Sequence, residues 1–104
     1  VDARVERLTP AGSLKVPHVG WNSLEFPTQD WLFEGIRQKD ANFYFVHSFH
    51  MVCANPQDRL ATTDYGGDVT AVVRHDNIIV MQFHPEKSQD NGLKLLQNWV
   101  NWSA

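Results

Sequence analysis

Met81-Gln82-Phe83-His84-Pro85-Glu86-Lys87-Ser88-Gln89 is the stretch on which the reading of this chain turns. It closes an apolar run, Ile78 to Phe83, and leads into an amphipathic segment that starts at about Ser88 or Asp90 and reaches Trp102. Side chains on a strand alternate, so extended backbone points His84 and Glu86 to one side, while Pro85 holds His84 extended and stops the ladder. A carboxylate beside an imidazole can fix its tautomer and stabilise its protonated form, which is the relation of base and orienting group in a nucleophilic triad. Taken alone, His-x-Glu is a common accident, and its bland reading is a strand-ending histidine beside a solvated glutamate.

Working outward, Val69 to Arg74 and Ile78 to Phe83 flank the polar pair Asp76-Asn77, a hairpin signal. Beyond the motif, Leu93, Leu96 and Val100 fall on one face of a predicted helix, widened by Leu95, Trp99 and Trp102. Asn42 to His47 has the aromatic and β-branched composition of a buried strand, and a second extended stretch, His50 to Ala54, stops at Asn55 and Pro56. Nearer the start, Val5 to Leu8 reads as a short strand, Thr9 to Ser13 as a turn, and Val16 to Trp21 as extended chain broken by Pro17 and Gly20. Leu24 to Phe26 suggests another short strand. Thr28 or Asp30 could cap a short helix carrying Trp31, Leu32, Phe33 and Ile36, with Gly35 limiting its length. The pattern describes one folding unit, an incomplete α/β or α+β arrangement, and does not choose between the two.

Composition bounds the function. The 104 residues are 42% hydrophobic and 12% aromatic, enough for a modest core. A net charge of -3 offers no field for nucleic acid, and no run approaches the ~20 apolar residues of a membrane-spanning helix, so a soluble cytoplasmic protein is expected. One cysteine, Cys53, excludes an intramolecular disulfide. The chain opens at Val1 with neither an initiator Met nor a signal peptide, which makes a piece of a longer protein the expectation. His47, His50, Cys53 and His84 invite a zinc reading, but His47 and His50 stand three apart on extended chain and no Cys-x-x-Cys supports them, so no metal and no cofactor are expected. His18 is expected in a turn and His75 exposed on a strand.

In context, Gln82-Phe83-His84-Pro85-Glu86, after a hairpin and before an amphipathic helix, resembles the C-terminal signature of class I glutamine amidotransferases. Three stretches narrow the resemblance to the glutaminase subunits of imidazole glycerol phosphate synthases. These are Val16-Pro17-His18-Val19-Gly20-Trp21-Asn22, Phe43-Tyr44-Phe45-Val46-His47-Ser48-Phe49 and Thr63-Asp64-Tyr65-Gly66, and Lys87-Ser88-Gln89 extends the signature as those subunits do. The similarity runs from Lys15 onward. It implies an α/β fold, the C-terminal part of a flavodoxin-like class I glutamine amidotransferase domain, strand-rich with a C-terminal amphipathic helix and occupying residues 1–104.

The same resemblance implies hydrolysis of L-glutamine to glutamate and ammonia, with ammonia passed to a (β/α)8-barrel imidazole glycerol phosphate synthase cyclase subunit in histidine biosynthesis. His84 would be the general base and acid and Glu86 its orienting partner. His47, Ser48 and Phe49 would contact the substrate, and Trp21, Asn22, Tyr44 and Lys87 would lie at the partner-facing surface, although core packing is an equal reading of Trp21 and Tyr44. The departure from the family is the nucleophile: the Gly-x-Cys-x-Gly elbow and the glycine-rich oxyanion loop have no counterpart in these residues. Cys53, in Met-Val-Cys-Ala-Asn-Pro, reads as a small buried residue, so the isolated chain is expected to be inactive. Two other readings stay open, a non-catalytic piece that only docks and a glutaminase serving a different synthase.

Overall fold

Alternation along Asn42–His47 sets the frame: Phe43, Phe45 and His47 turn inward while Asn42 and Val46 face solvent. The computed structural model describes residues 2–27 and 29–103, the Ser103 side chain excepted. Its strands are β1 (Ala3–Arg7), β2 (His18–Glu25), β3 (Asn42–His47), β4 (Phe49–Cys53), β5 (Arg59–Asp64), β6 (Asp68–His75) and β7 (Ile78–Met81), and the helix α1 spans Gln89–Ser103. Five strands form one sheet in the order β3-β2-β5-β6-β7, and β1 pairs with β4 as a separate ribbon. Every pairing among the described residues is antiparallel. The sheet curls until the His84 N–H, just past β7, donates to the Tyr44 carbonyl of β3 at 2.9 Å.

The core lies inside this curl. Phe33, Phe43, Phe45, Leu24, Leu32, Val72 and Leu95 are almost wholly buried, and each large side chain removed from water contributes on the order of 2 kcal/mol. β6 is buried without interruption from Val69 to Val73, because the β1–β4 ribbon packs against it as well. Trp31 stacks on Trp102 at 4.6 Å, and Arg74 lies over the Trp31 ring while pairing through both nitrogens with Asp30. This clamp ties α1 to the sheet.

Several elements differ from the sequence reading. The two expected strands are one eight-residue strand, β2, which starts at His18 and ends at Glu25, leaving Val16, Pro17 and Phe26 outside it, because Gly20 takes φ +123° and carries the strand through the expected break. β5 was not expected at all. The Trp31 helix is a single 3-10 turn, Trp31–Phe33, capped by Asp30, whose Oδ1 accepts the Leu32 N–H at 3.0 Å; the other candidate cap, Thr28, lies outside the described residues.

On α1 the inward residues are Leu95, Gly92 and the amides of Asn91 and Asn98, whereas Leu93 and Val100 are more than half exposed. Asn91 donates to the Asp40 and Asn42 carbonyls, and Asn98 to those of Leu32 and Glu34. Amide anchors therefore set the helix rotation that the hydrophobic stripe alone misassigns.

Candidate active site

His84 and Glu86 do come together, but not by strand alternation. β7 ends at Met81, and Pro85–Lys87 form a 3-10 turn for which His84, at φ -97° and ψ 98°, is the N-terminal flank. That turn brings Glu86 Oε1 to 2.9 Å from His84 Nδ1. An ionised carboxylate only accepts, so the Nδ1 hydrogen lies on the imidazole, and in the neutral ring Nε2 is the bare nitrogen. The Glu86 carboxyl is held below its ordinary range by its own backbone N–H first and by His84 second, so it is charged at neutral pH. The His84 side chain is 40% exposed, which leaves Nε2 within reach of a reacting group.

The backbone of His84 is held by three hydrogen bonds that close on themselves. Its N–H donates to the Tyr44 carbonyl at 2.9 Å, the Tyr44 N–H donates to Ser88 Oγ at 3.0 Å, and Ser88 Oγ donates to the His84 carbonyl at 2.7 Å. Ser88 is 1% exposed. Gly92 completes the seat, since a methyl group there would overlap the Pro85 carbonyl. Sequence reasoning named Ser88 only as a helix start and as part of the extended signature, and passed over Gly92; a serine and a glycine near a helix start read as ordinary capping and carry no pattern of their own.

The remaining candidates fall in two groups. Trp21 is half exposed and meets Tyr44 edge-on at 5.8 Å, Lys87 is exposed, and Asn22 is half-buried with its amide donating to the Asp64 carbonyl at 2.8 Å. A cleft of ≈ 500 Å³ opens between Trp21 and the start of α1. His47, Ser48 and Phe49 form the bend from β3 to β4, where the Ser48 carbonyl accepts the Leu8 N–H at 2.8 Å and the Phe49 carbonyl faces His47 Nδ1 at 2.9 Å. His18 is not a turn residue: it sits on β2 and is 3% exposed. His75 is on the exposed end of β6 beside Asp58 at 3.1 Å.

Cys53 pairs with Ala3 in the ribbon, and burial, reinforced by Asp58, pushes its thiol up, the opposite of what an attacking sulfur needs. Among the described residues, no group of three or more His, Cys, Asp or Glu is placed to hold a metal ion, and no helix is long and apolar enough to cross a membrane.

No family model matches the chain. It is 50% identical over 100 residues to the imidazole glycerol phosphate synthase subunit HisH of Ruegeria pomeroyi, covering 95% of this chain and 47% of that protein. It is 45% identical over 104 residues to subunit HisH 2 of Nitrobacter winogradskyi, covering 99% and 49%, and 44% identical over 103 residues to HisH of Azospirillum brasilense, covering 98% and 53%. Among solved structures, a Thermoplasma acidophilum protein provisionally assigned as part of a GMP synthase superposes with a TM-score of 0.68 at 19% identity, over 95% of this chain and 47% of that one. That likeness concerns the fold alone: a strand-rich curled sheet with one C-terminal helix. The chain spans about half the length of the curated relatives it matches. By sequence the chain is similar to HisH subunits of imidazole glycerol phosphate synthases, at 44–50% identity over nearly all of its own residues.

Proposed function

We propose that these residues form the C-terminal portion of a single glutamine amidotransferase domain and supply two members of a Cys-His-Glu triad, whose thiol comes from another stretch of polypeptide. The observation that carries this is the His84–Glu86 pair: a 2.9 Å bond to a charged carboxylate, with the second ring nitrogen bare and the ring partly open to solvent. Such a pair does one thing well, which is to take and return a proton.

In this function His84 Nε2 accepts the thiol proton as sulfur bonds to the side-chain carbonyl carbon of L-glutamine. The same proton passes to the amide nitrogen, the C–N bond breaks, and ammonia leaves a thioester. Nε2 then takes a proton from water as its oxygen attacks that thioester, glutamate departs, and the proton returns to sulfur. Glu86 holds the ring in the required tautomer throughout and stabilises the imidazolium. The backbone of His47, Ser48 and Phe49 holds the substrate. Trp21, Asn22, Tyr44 and Lys87 face a (β/α)8-barrel cyclase subunit that consumes the ammonia in histidine biosynthesis.

The test is to incubate the full-length protein with L-glutamine, with and without the barrel partner, and to measure glutamate and ammonia. Release of both is expected. No release under either condition would sink the assignment.

A further inference from the structure

Further along β3, where β2 runs beside it, two imidazoles meet inside the protein. His18 and His47 are 3% and 8% exposed, are register partners across β2 and β3, and place His18 Nδ1 2.9 Å from His47 Nε2. Among the described residues, neither ring has a carboxylate as hydrogen-bond partner. The positions of their hydrogens follow from the two ends of the chain of contacts.

At one end, the Phe49 carbonyl can only accept, so His47 Nδ1, 2.9 Å away, carries a hydrogen. Burial disfavours a charged His47, so its Nε2 is bare and must accept from His18 Nδ1. Burial, and then His47, push the pKa of His18 down to about 4, so His18 is also neutral and its Nε2 accepts from the Asn22 amide at 3.3 Å. The orientation of that amide is fixed independently, because Asn22 Oδ1 accepts the Ser23 N–H at 2.8 Å and Nδ2 also donates to the Asp64 carbonyl at 2.8 Å. Along Asn22, His18, His47 and Phe49, each donor therefore points toward Phe49.

The His18 ring has little room to turn. It stacks on Phe45 at 4.8 Å and 17° and on Tyr65 at 4.0 Å and 22°. Its titratable neighbours are His47 and Tyr65, and His47 is also near His50. A site needing only bulk between two aromatic rings would take a phenylalanine. Two histidines instead give a directed set of hydrogen bonds.

We propose that His18 is a positioning residue: its Nδ1–H holds His47 in the one tautomer that grips the Phe49 carbonyl, and so sets the His47-Ser48-Phe49 backbone against the substrate glutamine. This rests on the glutaminase function proposed above for the same bend. His18 touches neither substrate nor sulfur; it acts through His47. The chain of donors also starts at Asn22, so the bend and the Trp21–Asn22 surface share one set of hydrogen bonds.

The test has two arms. Histidine-selective 15N spectra of the full-length protein are expected to show both rings neutral with the hydrogen on Nδ1, the minor tautomer of free histidine, and still neutral as the pH falls past the ordinary value of about 6.5. A hydrogen on Nε2 of either ring, or titration of either at that ordinary pH, overturns the relay whatever the enzyme does. In the kinetic arm, His18→Phe keeps the stacking and loses the donor. It is expected to raise KM for glutamine about five-fold with kcat within about two-fold, and His18→Asn, whose amide N–H falls near Nδ1, is expected to recover most of that loss. Unchanged KM in His18→Phe, or equal loss in both variants, overturns the positioning role. Absence of glutamine turnover in the wild type is a separate result that removes the glutaminase function, and with it the substrate at the bend, while the spectra report on the relay alone.

Discussion

The molecule contains two histidine pairs built to opposite ends. His84 is paired with an exposed carboxylate and open to solvent on its other side, whereas His18 is paired with a second imidazole and enclosed by aromatic rings. The first arrangement stabilises a ring that gains a proton. The second penalises one. Local surroundings, not residue type, thus decide which imidazole can serve as a base and which can only hold a geometry.

The largest expected effect lies on the exposed pair. In the full-length protein, His84→Ala should lower glutamine turnover by about 10²–10⁴-fold, the range of a lost general base, with partner binding retained in a pull-down; near-normal ammonia release would erase the contrast. Glu86→Gln comes next, at about ten- to a hundred-fold, because it removes a charged acceptor and leaves the base in place. Wild-type activity in that variant would show that the carboxylate orients nothing. Since the Glu86 pKa is depressed, its pairing contributes fully above the ordinary carboxylate range and is lost as pH falls through the lowered value.

The buried pair predicts a different pH dependence. The folded-state pKa of His18, about 4, lies below its unfolded value of about 6.5, so the unfolded chain binds more protons between those values and stability falls as pH drops through that window. The cost is on the order of 3 kcal/mol, and His47 adds to it in the same direction. Denaturant unfolding at pH 7 and near pH 4.5 should show this loss in the wild type and a smaller one in His18→Phe; equal slopes would mean the pair is not buried neutral.

Smaller effects sharpen the comparison further. Ser88→Ala leaves the Tyr44 N–H without its acceptor and should destabilise by about 1–3 kcal/mol in denaturant melts, and an unchanged midpoint would remove Ser88 from the seat of His84. Cys53→Ser should leave turnover within about two-fold, because a thiol pushed up by burial is not the attacking group. A large loss there would reassign the nucleophile.

The exposed pair was legible in the sequence and the buried one was not. His84 and Glu86 sit in a contiguous motif, and their approach survived a wrong account of the backbone that joins them. His18 and His47 are 29 residues apart and meet only through the β2–β3 register, which a single sequence does not display once Pro17 and Gly20 are taken as a break. Dense apolar runs such as Asn42–His47 were placed correctly because composition alone specifies a buried strand. β5 escaped because Arg59-Leu60-Ala61-Thr62-Thr63-Asp64 mixes charge, small residues and register irregularities near Ala61. The inner face of α1 escaped because asparagine amides, which hydropathy counts as solvent-facing, fix its rotation.

The closed ring of hydrogen bonds through Tyr44, His84 and Ser88 changes what kind of residue His84 is. A group on a free loop must surrender many backbone torsions each time it is brought to a reactant, at roughly 1–2 kcal/mol per residue ordered. Here the main chain has surrendered them during folding, and two side-chain torsions remain. Glu86, through its bond to Nδ1, narrows them, so the imidazole meets a reactant with little main-chain entropy left to lose.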